Sequence, residues 1–420
     1  MKQRDVEIMA PVGSYESLMA AIQGGAGSVY FGVEHLNMRS RSANNFSLDD
    51  LRKIVSISTE NGVKTYLTLN VEIFDGEIGQ MHGVIDAAKA AGVSAVIAAD
   101  VSVIQYARSI GLEVHISTQV NITNIEAVKF YANFADVVVL AREMNLGRIH
   151  EIADQIKREN ITGPSGKLVQ IEMFAHGALC MATSGKCYLS LHEMNSSANR
   201  GACLQTCRRA YTVIDKETGA ELEIDNEYIM SPKDLKTIHF LNKVLDAGVS
   251  VLKIEGRARS PEYVKTTVQC YREAVDAYFE DTFTEEKIKD WDNRLSSVFN
   301  RGFWDGYYLG QRLGAWSNNY GSRATKRKLY IGKCTNYFKK IGVAEFKLET
   351  ANLKVGDEII VTGPTTGVFQ TDVKEIRFDL KPVEVGLKGQ FISVPVETLI
   401  RRADKLFKVV DAKEVKERQK

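Results

Sequence analysis

Long apolar runs are missing from this chain of 420 residues. Nowhere do about 18 apolar residues follow one another, as a helix spanning a bilayer would need. The opening MKQRDVEIMAPVGS has no apolar h-region and enters a strand pattern at once. A signal peptide is therefore not expected, and a reducing, cytoplasmic setting is. A charge bias is also missing: 54 Lys+Arg stand against 53 Asp+Glu, a net of +1, so any anionic ligand must be met by a local patch. Several catalytic signatures are absent as well. No GxGxxG follows the first strand pattern, there is no HExxH or GxSxG, and no obvious Cys/His/Asn order is visible. His176 and Cys180 have a spacing that suits a nucleophile–base pair, but that reading leaves three nearby cysteines without a role. Hydrophobic content of 44% and charged content of 25% are ordinary for a globular protein.

What is present is a concentration of thiols. Four of the six cysteines, Cys180, Cys187, Cys203 and Cys207, lie between Glu172 and Arg209 in the spacing Cys-x6-Cys-x15-Cys-x3-Cys. In a reducing compartment such clustering points to metal or redox chemistry more than to disulfides. Four thiolates can close a tetrahedral zinc site or hold an iron–sulfur cluster. Zinc ribbons usually pair cysteines two to four residues apart, and only Cys203 and Cys207 come near that. The wider gap from Cys180 to Cys187 suits a larger object such as a [4Fe–4S] cube, whose negative charge Lys186 and Arg208 would offset. Cys270 and Cys334 stand alone, one in a helical pattern and one in a strand pattern, and read as core residues.

Over roughly the first 260 residues, apolar runs alternate with amphipathic stretches. Eight runs qualify as strands: Glu7–Val12, Ser28–Val33, Thr65–Val71, Ala95–Asp100, Glu113–Val120, Val137–Arg142, Val169–Phe174 and Ser250–Glu255. Near-continuous apolar strands separated by helices imply a parallel sheet covered on both faces. Eight units predict a (β/α)8 barrel over 1–260, with the cysteine-rich loop 176–210 inserted after strand 7; a doubly wound open sheet is the alternative. Helices are expected over Ser14–Gly24 and Ser47–Asn61, the second with Ser47 as N-cap. In a barrel, functional groups collect at the C-terminal rim. The strand ends would bring there Asn70, Asp100, Ser117, Gln119, Arg142, Glu143, Glu172, His176, Lys253, Glu255 and Arg257.

A helical extension is expected over 261–320, ending in the aromatic stretch Asn300–Tyr308, which reads as packed back onto the barrel more than as a stacking surface. After a linker at Gly321–Lys328 the pattern switches to strict alternation, and six short strands predict a small all-β barrel over 327–420. This module carries 19 Lys+Arg against 13 Asp+Glu, a net of +6, which suits a polyanion-binding appendage as well as it suits a solvated surface.

Residues 172–190, EMFAHGALCMATSGKCYLS, match every specified position of E-x-F-x2-G-[SA]-[LIVM]-C-x4-G-x-C-x-[LIVM]-S. That pattern resembles the signature of peptidase family U32, the collagenase-like protease family. The resemblance extends through VYFGVEHLNMRSRSANNF, TLN at 68–70, STQ at 117–119, ARE at 141–143, NRGACLQTCR at 199–208, MSPKDL at 230–235 and KIEGRARS at 253–260. VGDEIIVTGP is similar to the translation-factor-type β-barrel of longer members. The family name implies proteolysis, whereas better-understood members are iron–sulfur proteins supporting oxygen-independent hydroxylation of tRNA uridine, of a ribosomal RNA cytidine or of the ubiquinone ring. Chain length and the basic module favour the branch that forms 5-hydroxyuridine at the tRNA wobble position. The resemblance then implies a [4Fe–4S] cluster on Cys180, Cys187, Cys203 and Cys207, with zinc as the alternative occupant. It also implies tRNA, prephenate or a similar small carboxylate, and a paralogous family member as partners. For such a reaction Glu172, His176 and Glu255 are the acid–base candidates. Arg39, Asn70, Gln119, Arg142, Lys253 and Arg257 are the substrate-binding candidates. A collagenase-like peptidase and a zinc-stabilised RNA-binding protein are the competing expectations.

Overall fold

The computed structural model describes residues 6–34, 36–40, 45–212, 214, 216–217, 228–319 and 321–413. Residues 1–5, residues 41–44 of the quoted NMRSRSANNF stretch, and the end of the C-terminal module, 414–420, lie outside the described residues. The first strands are β1 (Glu7–Pro11), β2 (Ser28–Phe31), β3 (Lys64–Leu69), β4 (Ala95–Ala98) and β5 (Glu113–Ile116). They are followed by β6 (Val137–Val139), β7 (Gln170–Gly177), β8 (Asp234–Lys236) and β9 (Val251–Ile254). Among the described residues, β1 to β7 and β9 form a closed ring of eight parallel strands, because Val251 of β9 pairs both with Glu172 of β7 and with Glu7 of β1. The expected (β/α)8 barrel is therefore the fold, and the open-sheet alternative falls. All eight predicted runs contribute a strand.

Alternation along each strand divides the core in two. Met9, Tyr30, Tyr66, Ala95, Ile97, Val137 and Val251 pack together inside the ring. Their sequence neighbours, such as Ile8, Ala10, Val29, Phe31 and Leu252, turn outward beneath the helices. The helices between strands are α1 (Tyr15–Gln23), α2 (Asp50–Glu60), α3 (Ile78–Ala91), α4 (Val101–Ser109), α5 (Ile125–Ala132) and α6 (Leu146–Arg158). Side-chain N-caps set several of their starts: Ser14, Asp100, Asn124 and Asn145 each accept a first-turn backbone N–H. Ser47 does not cap α2. The helix begins three residues later, and Ser47 instead donates its backbone N–H and its hydroxyl to Asp50 Oδ2, at 2.9 and 2.7 Å.

The regular rhythm breaks after β7. The thiol-rich excursion carries α7 (Leu189–Met194), and the return passes through β8 and α8 (Leu241–Asp246) before β9. β8 runs antiparallel to the end of β7, and β10 (Phe303–Trp304) adds to it. Neither is foreshadowed by an apolar run, because each is only two or three residues long. The helical extension holds α9 (Pro261–Phe279) and α10 (Glu285–Ser297), close to expectation.

The C-terminal module contains β11 (Lys326–Phe338), β12 (Val343–Leu348), β13 (Leu353–Lys354), β14 (Glu358–Gly363) and β15 (Gly367–Asp372). It continues with β16 (Ile376–Phe378), β17 (Lys381–Val383), β18 (Val385–Gly386), β19 (Phe391–Pro395) and β20 (Lys405–Asp411). Its antiparallel sheet is ordered β15-β14-β20-β11-β12-β19-β16-β17, with β13 and β18 as a separate ribbon. One face gathers around a single core that includes Ile331, Phe346, Val361, Ile392 and Leu406, as in a small β-barrel. Among the described residues the ladder ends at β15 and β17. The basic segment read as a linker already belongs to β11 from Lys326 onward, because β20 pairs along it.

The β15 edge is covered by the first domain. Gln23 at the end of α1 donates from Nε2 to the Thr366 carbonyl at 2.8 Å and accepts from Val368 N at 3.0 Å. Lys265 on α9 donates to the Val368 carbonyl, and Lys328 pairs with Glu262 at 2.7 Å. A strand edge that would otherwise be a template for pairing is thus satisfied.

Candidate functional site

The ends of β2, β3, β5, β6 and β9 deliver polar residues to one mouth, because the C-terminal ends of parallel strands all open on one side of the ring. A cavity of about 190 Å³ lies there. Its walls include Asn70 after β3, Gln119 after β5, Arg142 after β6, Lys253 on β9, and Glu255 and Arg257 just beyond β9. Arg39 reaches it from the loop after β2. The excursion after β7 folds over this mouth, so that Cys180, Cys187, Cys203 and Cys207 line the same cavity.

Glycine makes that lid possible at two points. Gly177 ends β7 at φ +106°, where a Cβ would sit 2.3 Å from the Glu255 carbonyl. Gly201 has φ +78°, and a Cβ would lie 2.4 Å from the Asn37 carbonyl and 2.3 Å from Ser40 Oγ. Only a residue without a side chain lets the loop approach the β2 loop this closely. Arg208 fastens the other end: its guanidinium donates to the Leu179 and Pro232 carbonyls at 2.7 and 2.6 Å and to Ser231 Oγ at 3.0 Å. Burial, followed by the Arg301 charge, lowers the Arg208 pKa to about 10.

Cations dominate the barrel side. Glu255 pairs with Arg39 Nη2 at 3.0 Å, and the Tyr30 hydroxyl lies 3.1 Å from its other oxygen. Burial would raise the pKa of Glu255, but Arg39, Arg142 and Arg257 together hold it below the ordinary carboxylate value. Glu255 is therefore held ionised and suits an anchoring role better than that of a proton donor. Arg257 is buried, donates to Asn37 Oδ1 at 2.6 Å and lies 3.3 Å from Thr68 Oγ1. Gly32 leaves room for it, since a Cβ there would come within 2.2 Å of the guanidinium. Asn70 accepts from Met38 N at 3.2 Å, and Gln119 accepts from Ser117 Oγ at 3.1 Å, so both also shape their own loops.

Arg142 differs from the other arginines. Its guanidinium lies on the Phe174 ring, 3.8 Å from the centroid, and its Nε is buried with no hydrogen-bond partner among the described residues. A guanidinium stacked on one face with N–H groups left over suits an anionic or carbonyl-bearing guest.

Glu172 and His176 do not line the cavity. Glu172 is fully buried inside the ring and pairs with Lys253 Nζ at 2.7 Å, so it meets the cavity only through that lysine. His176 follows a register shift in β7 that turns its ring outward between Tyr263, Tyr271 and Phe303. Its Nδ1 lies 3.5 Å from the Tyr271 hydroxyl. Burial, with smaller contributions from Lys236 and Arg259, lowers its pKa to about 3. A base for Cys180 is thus not formed by His176: the imidazole is 1% exposed and faces the helical layer. This placement has a pH consequence. The unfolded chain takes up a proton near pH 6.5 and the folded one only near pH 3, so stability falls with acidification across that window. The expected slope from this group is up to about 1.4 kcal/mol per pH unit. His176→Phe should flatten that part of a urea-midpoint profile, and an unchanged profile would contradict the placement.

The four thiols line this one cavity. Burial raises the Cys187 pKa, with the Cys180 and Cys203 charges adding to the shift. Burial first, and then the other three cysteines, raise Cys207 to about 11, against the pull of Arg208. Arg39 also feels Cys203: burial opposes its charge, but Glu255 and then Cys203 outweigh it and raise its pKa. By chemistry the four thiols suit a thiolate-ligated cluster, although as placed their side chains are not gathered on one point. Among the described residues no group of three or more His, Cys, Asp and Glu side chains is placed to hold a metal ion.

Sequence reasoning did not single out Tyr30, Asn37, Thr68 or Phe174. Tyr30 and Phe174 were hidden within apolar runs, and Asn37 lies in a loop whose partner, Arg257, is 220 residues away. Asp100 has a structural use, capping α4 and accepting from Ile73 N at 2.9 Å.

A model of peptidase family U32 matches residues 13–318. The chain belongs to this family. It is 63% identical over 408 residues to a Porphyromonas gingivalis protein named "Collagenase", covering 97% of this chain and 99% of that one. It is 32% identical over 379 residues to "tRNA hydroxylation protein P1" of Bacillus subtilis, covering 88% of this chain and 86% of the other. It is 34% identical over 277 residues to "23S rRNA 5-hydroxycytidine C2501 synthase" of Escherichia coli, covering 66% of this chain and 40% of that longer protein. The family thus holds members named for RNA hydroxylation and members named for collagen cleavage. Among the described residues no helix is long and apolar enough to cross a membrane.

Proposed function

We propose that this U32 member takes part in oxygen-independent hydroxylation of RNA, forming 5-hydroxyuridine at the tRNA wobble position in the cytoplasm. The observation that carries this reading is the shared cavity: four thiols on the lid and a set of cations on the barrel rim face one space. Relatives named for tRNA and ribosomal RNA hydroxylation support it. Cys180, Cys187, Cys203 and Cys207 would hold a [4Fe–4S] cluster, which when bound supplies one-electron chemistry.

The chain's own residues then have separable tasks. Arg142 receives a carboxylate of a small donor molecule such as prephenate through its unpartnered N–H, and the Phe174 ring fixes the plane of the guanidinium. Arg39 and Arg257, tied to Glu255 and Asn37, keep the mouth positive without moving toward the guest. Lys253 holds a proton at Nζ beside the guest, and Glu172 keeps that ammonium in place. The lid fastened by Arg208 covers the mouth and leaves Cys180 exposed. The wobble base enters splayed out of a single-stranded loop, as bases do when chemistry is performed on them. The basic C-terminal module holds the rest of the tRNA by phosphate contacts, and a paralogous family member would serve as partner.

Nucleoside analysis of total tRNA from a deletion strain tests this. The expected outcome is loss of 5-hydroxyuridine derivatives, restored by the intact gene. Unchanged tRNA, together with cleavage of a collagen-derived peptide by the purified protein, would replace this reading with the peptidase one that the Porphyromonas gingivalis relative's name suggests.

A further inference from the structure

The aromatic stretch after α10 divides into two functions. Phe303 packs its ring against His176, 5.6 Å between centroids, and the buried Tyr308 donates its hydroxyl to the Phe174 carbonyl at 3.0 Å. These two fasten the segment to the barrel. Trp304 and Tyr307 do not join them. They meet edge to face, 5.0 Å apart at 80°, and line a second cavity of about 240 Å³ together with Trp316. Trp316 is 38% exposed and is placed by a backbone bridge to Pro232. Trp304 and Tyr307 are half-buried and Trp316 is exposed, so all three keep ring surface open to this cavity.

This second cavity shares Arg142 and Cys180 with the first, so the two are neighbouring lobes of one mouth. One lobe has the thiols and cations, and the other has indole and phenol faces with the Glu143 carboxylate on its wall. A flat guest carrying N–H donors suits the second lobe, whereas a second carboxylate would meet Glu143. Resting on the RNA reading above, we propose that the lobe of Trp304, Tyr307 and Trp316 is a stacking subsite for the nucleobase adjacent to the one that reacts. Stacking of this kind tolerates any base, because every base has a π face. The lobe therefore supplies affinity and holds the strand while the neighbouring base turns inward.

The test is equilibrium binding of a fluorescent anticodon stem–loop RNA to the full-length protein, purified without oxygen. Trp316→Ala and Trp304→Ala should each weaken binding about tenfold, and Trp316→Phe should retain it. Leu313→Ala, at an 83% exposed position close in sequence but outside the lobe, should bind like wild type. An abasic nucleotide on one side of the wobble uridine should weaken wild type by a similar factor and leave Trp316→Ala no weaker than it already is. If wild type binds the RNA while both tryptophan variants bind equally well, the subsite is overturned and the RNA reading stands. If their loss adds in full to that of an abasic nucleotide on either flank, the subsite is overturned in the same way. A wild-type protein that binds no stem–loop RNA overturns the RNA reading and this proposal with it. Trp316 is exposed enough for its truncation to spare the fold, which a matching thermal melt would verify.

Discussion

Glu172→Leu is expected to destabilise the protein by about 3–5 kcal/mol, because it leaves the Lys253 ammonium buried without its counter-charge. The pair is the one ionic contact between β7 and β9 inside the ring that the described residues display, at 2.7 Å, with side-chain exposures of 0% and 7%. The Tyr30 and Phe174 rings lie 4.9 and 5.5 Å from the ammonium. They soften its burial without replacing the carboxylate. Removing both charges is a different matter. The Glu172→Leu/Lys253→Met double variant should recover most of the loss, since a well-packed apolar pair is often as stable as a buried ion pair. Urea unfolding of the two single variants and the double variant gives the coupling directly. A coupling below about 1 kcal/mol would mean that the pair is solvated in solution and that the barrel floor is wetter than this packing implies. Glu172 Oε2 has no hydrogen-bond partner among the described residues, an arrangement that costs stability. The recovered double variant should therefore be stable but impaired in any chemistry that uses the Lys253 proton.

Replacing any one of Cys180, Cys187, Cys203 and Cys207 by serine should reduce 5-hydroxyuridine in a complemented deletion strain to the level of the deletion itself. A thiolate-ligated cluster gives broad visible absorption near about 400 nm. Under the proposed function the wild-type protein purified without oxygen carries that absorption and each variant has lost most of it. Cys270→Ser and Cys334→Ser are the controls. Cys270 is buried in α9 and Cys334 in β11, each away from the cavity. Wild-type protein that is colourless and carries one zinc per chain would reject the redox reading. Four serine variants that all retain modification would reject the lid as the reactive element.

Much of the barrel was legible because its signal is local. Eight apolar runs divided by helical periods can satisfy their backbones and bury both faces only as a covered parallel sheet. The thiol spacing was legible for a similar reason, being contained in one stretch of sequence, and Gly177, Gly185 and Gly201 in that stretch all take positive φ. Six C-terminal strands were found from alternation, while β15 and the two- or three-residue β13, β17 and β18 were not, the last three being too short to carry a period.

Side-chain direction was not legible. His176 and Glu172 sit in the same matched signature as Cys180, yet a register shift in β7 sends the histidine into the helical layer, and Glu172 meets the cavity only through Lys253. One residue of slip reverses the face of every side chain beyond it, and nothing in the local sequence announces the slip. The two lobes were equally out of reach, because Arg142, Cys180 and Trp316 lie on three separate segments. The sequence by itself determined the barrel, the four-thiol loop and the family. The tertiary structure alone decided which charges share a cavity with those thiols and which are spent inside the fold, because strand register and ring closure join residues that local pattern cannot relate.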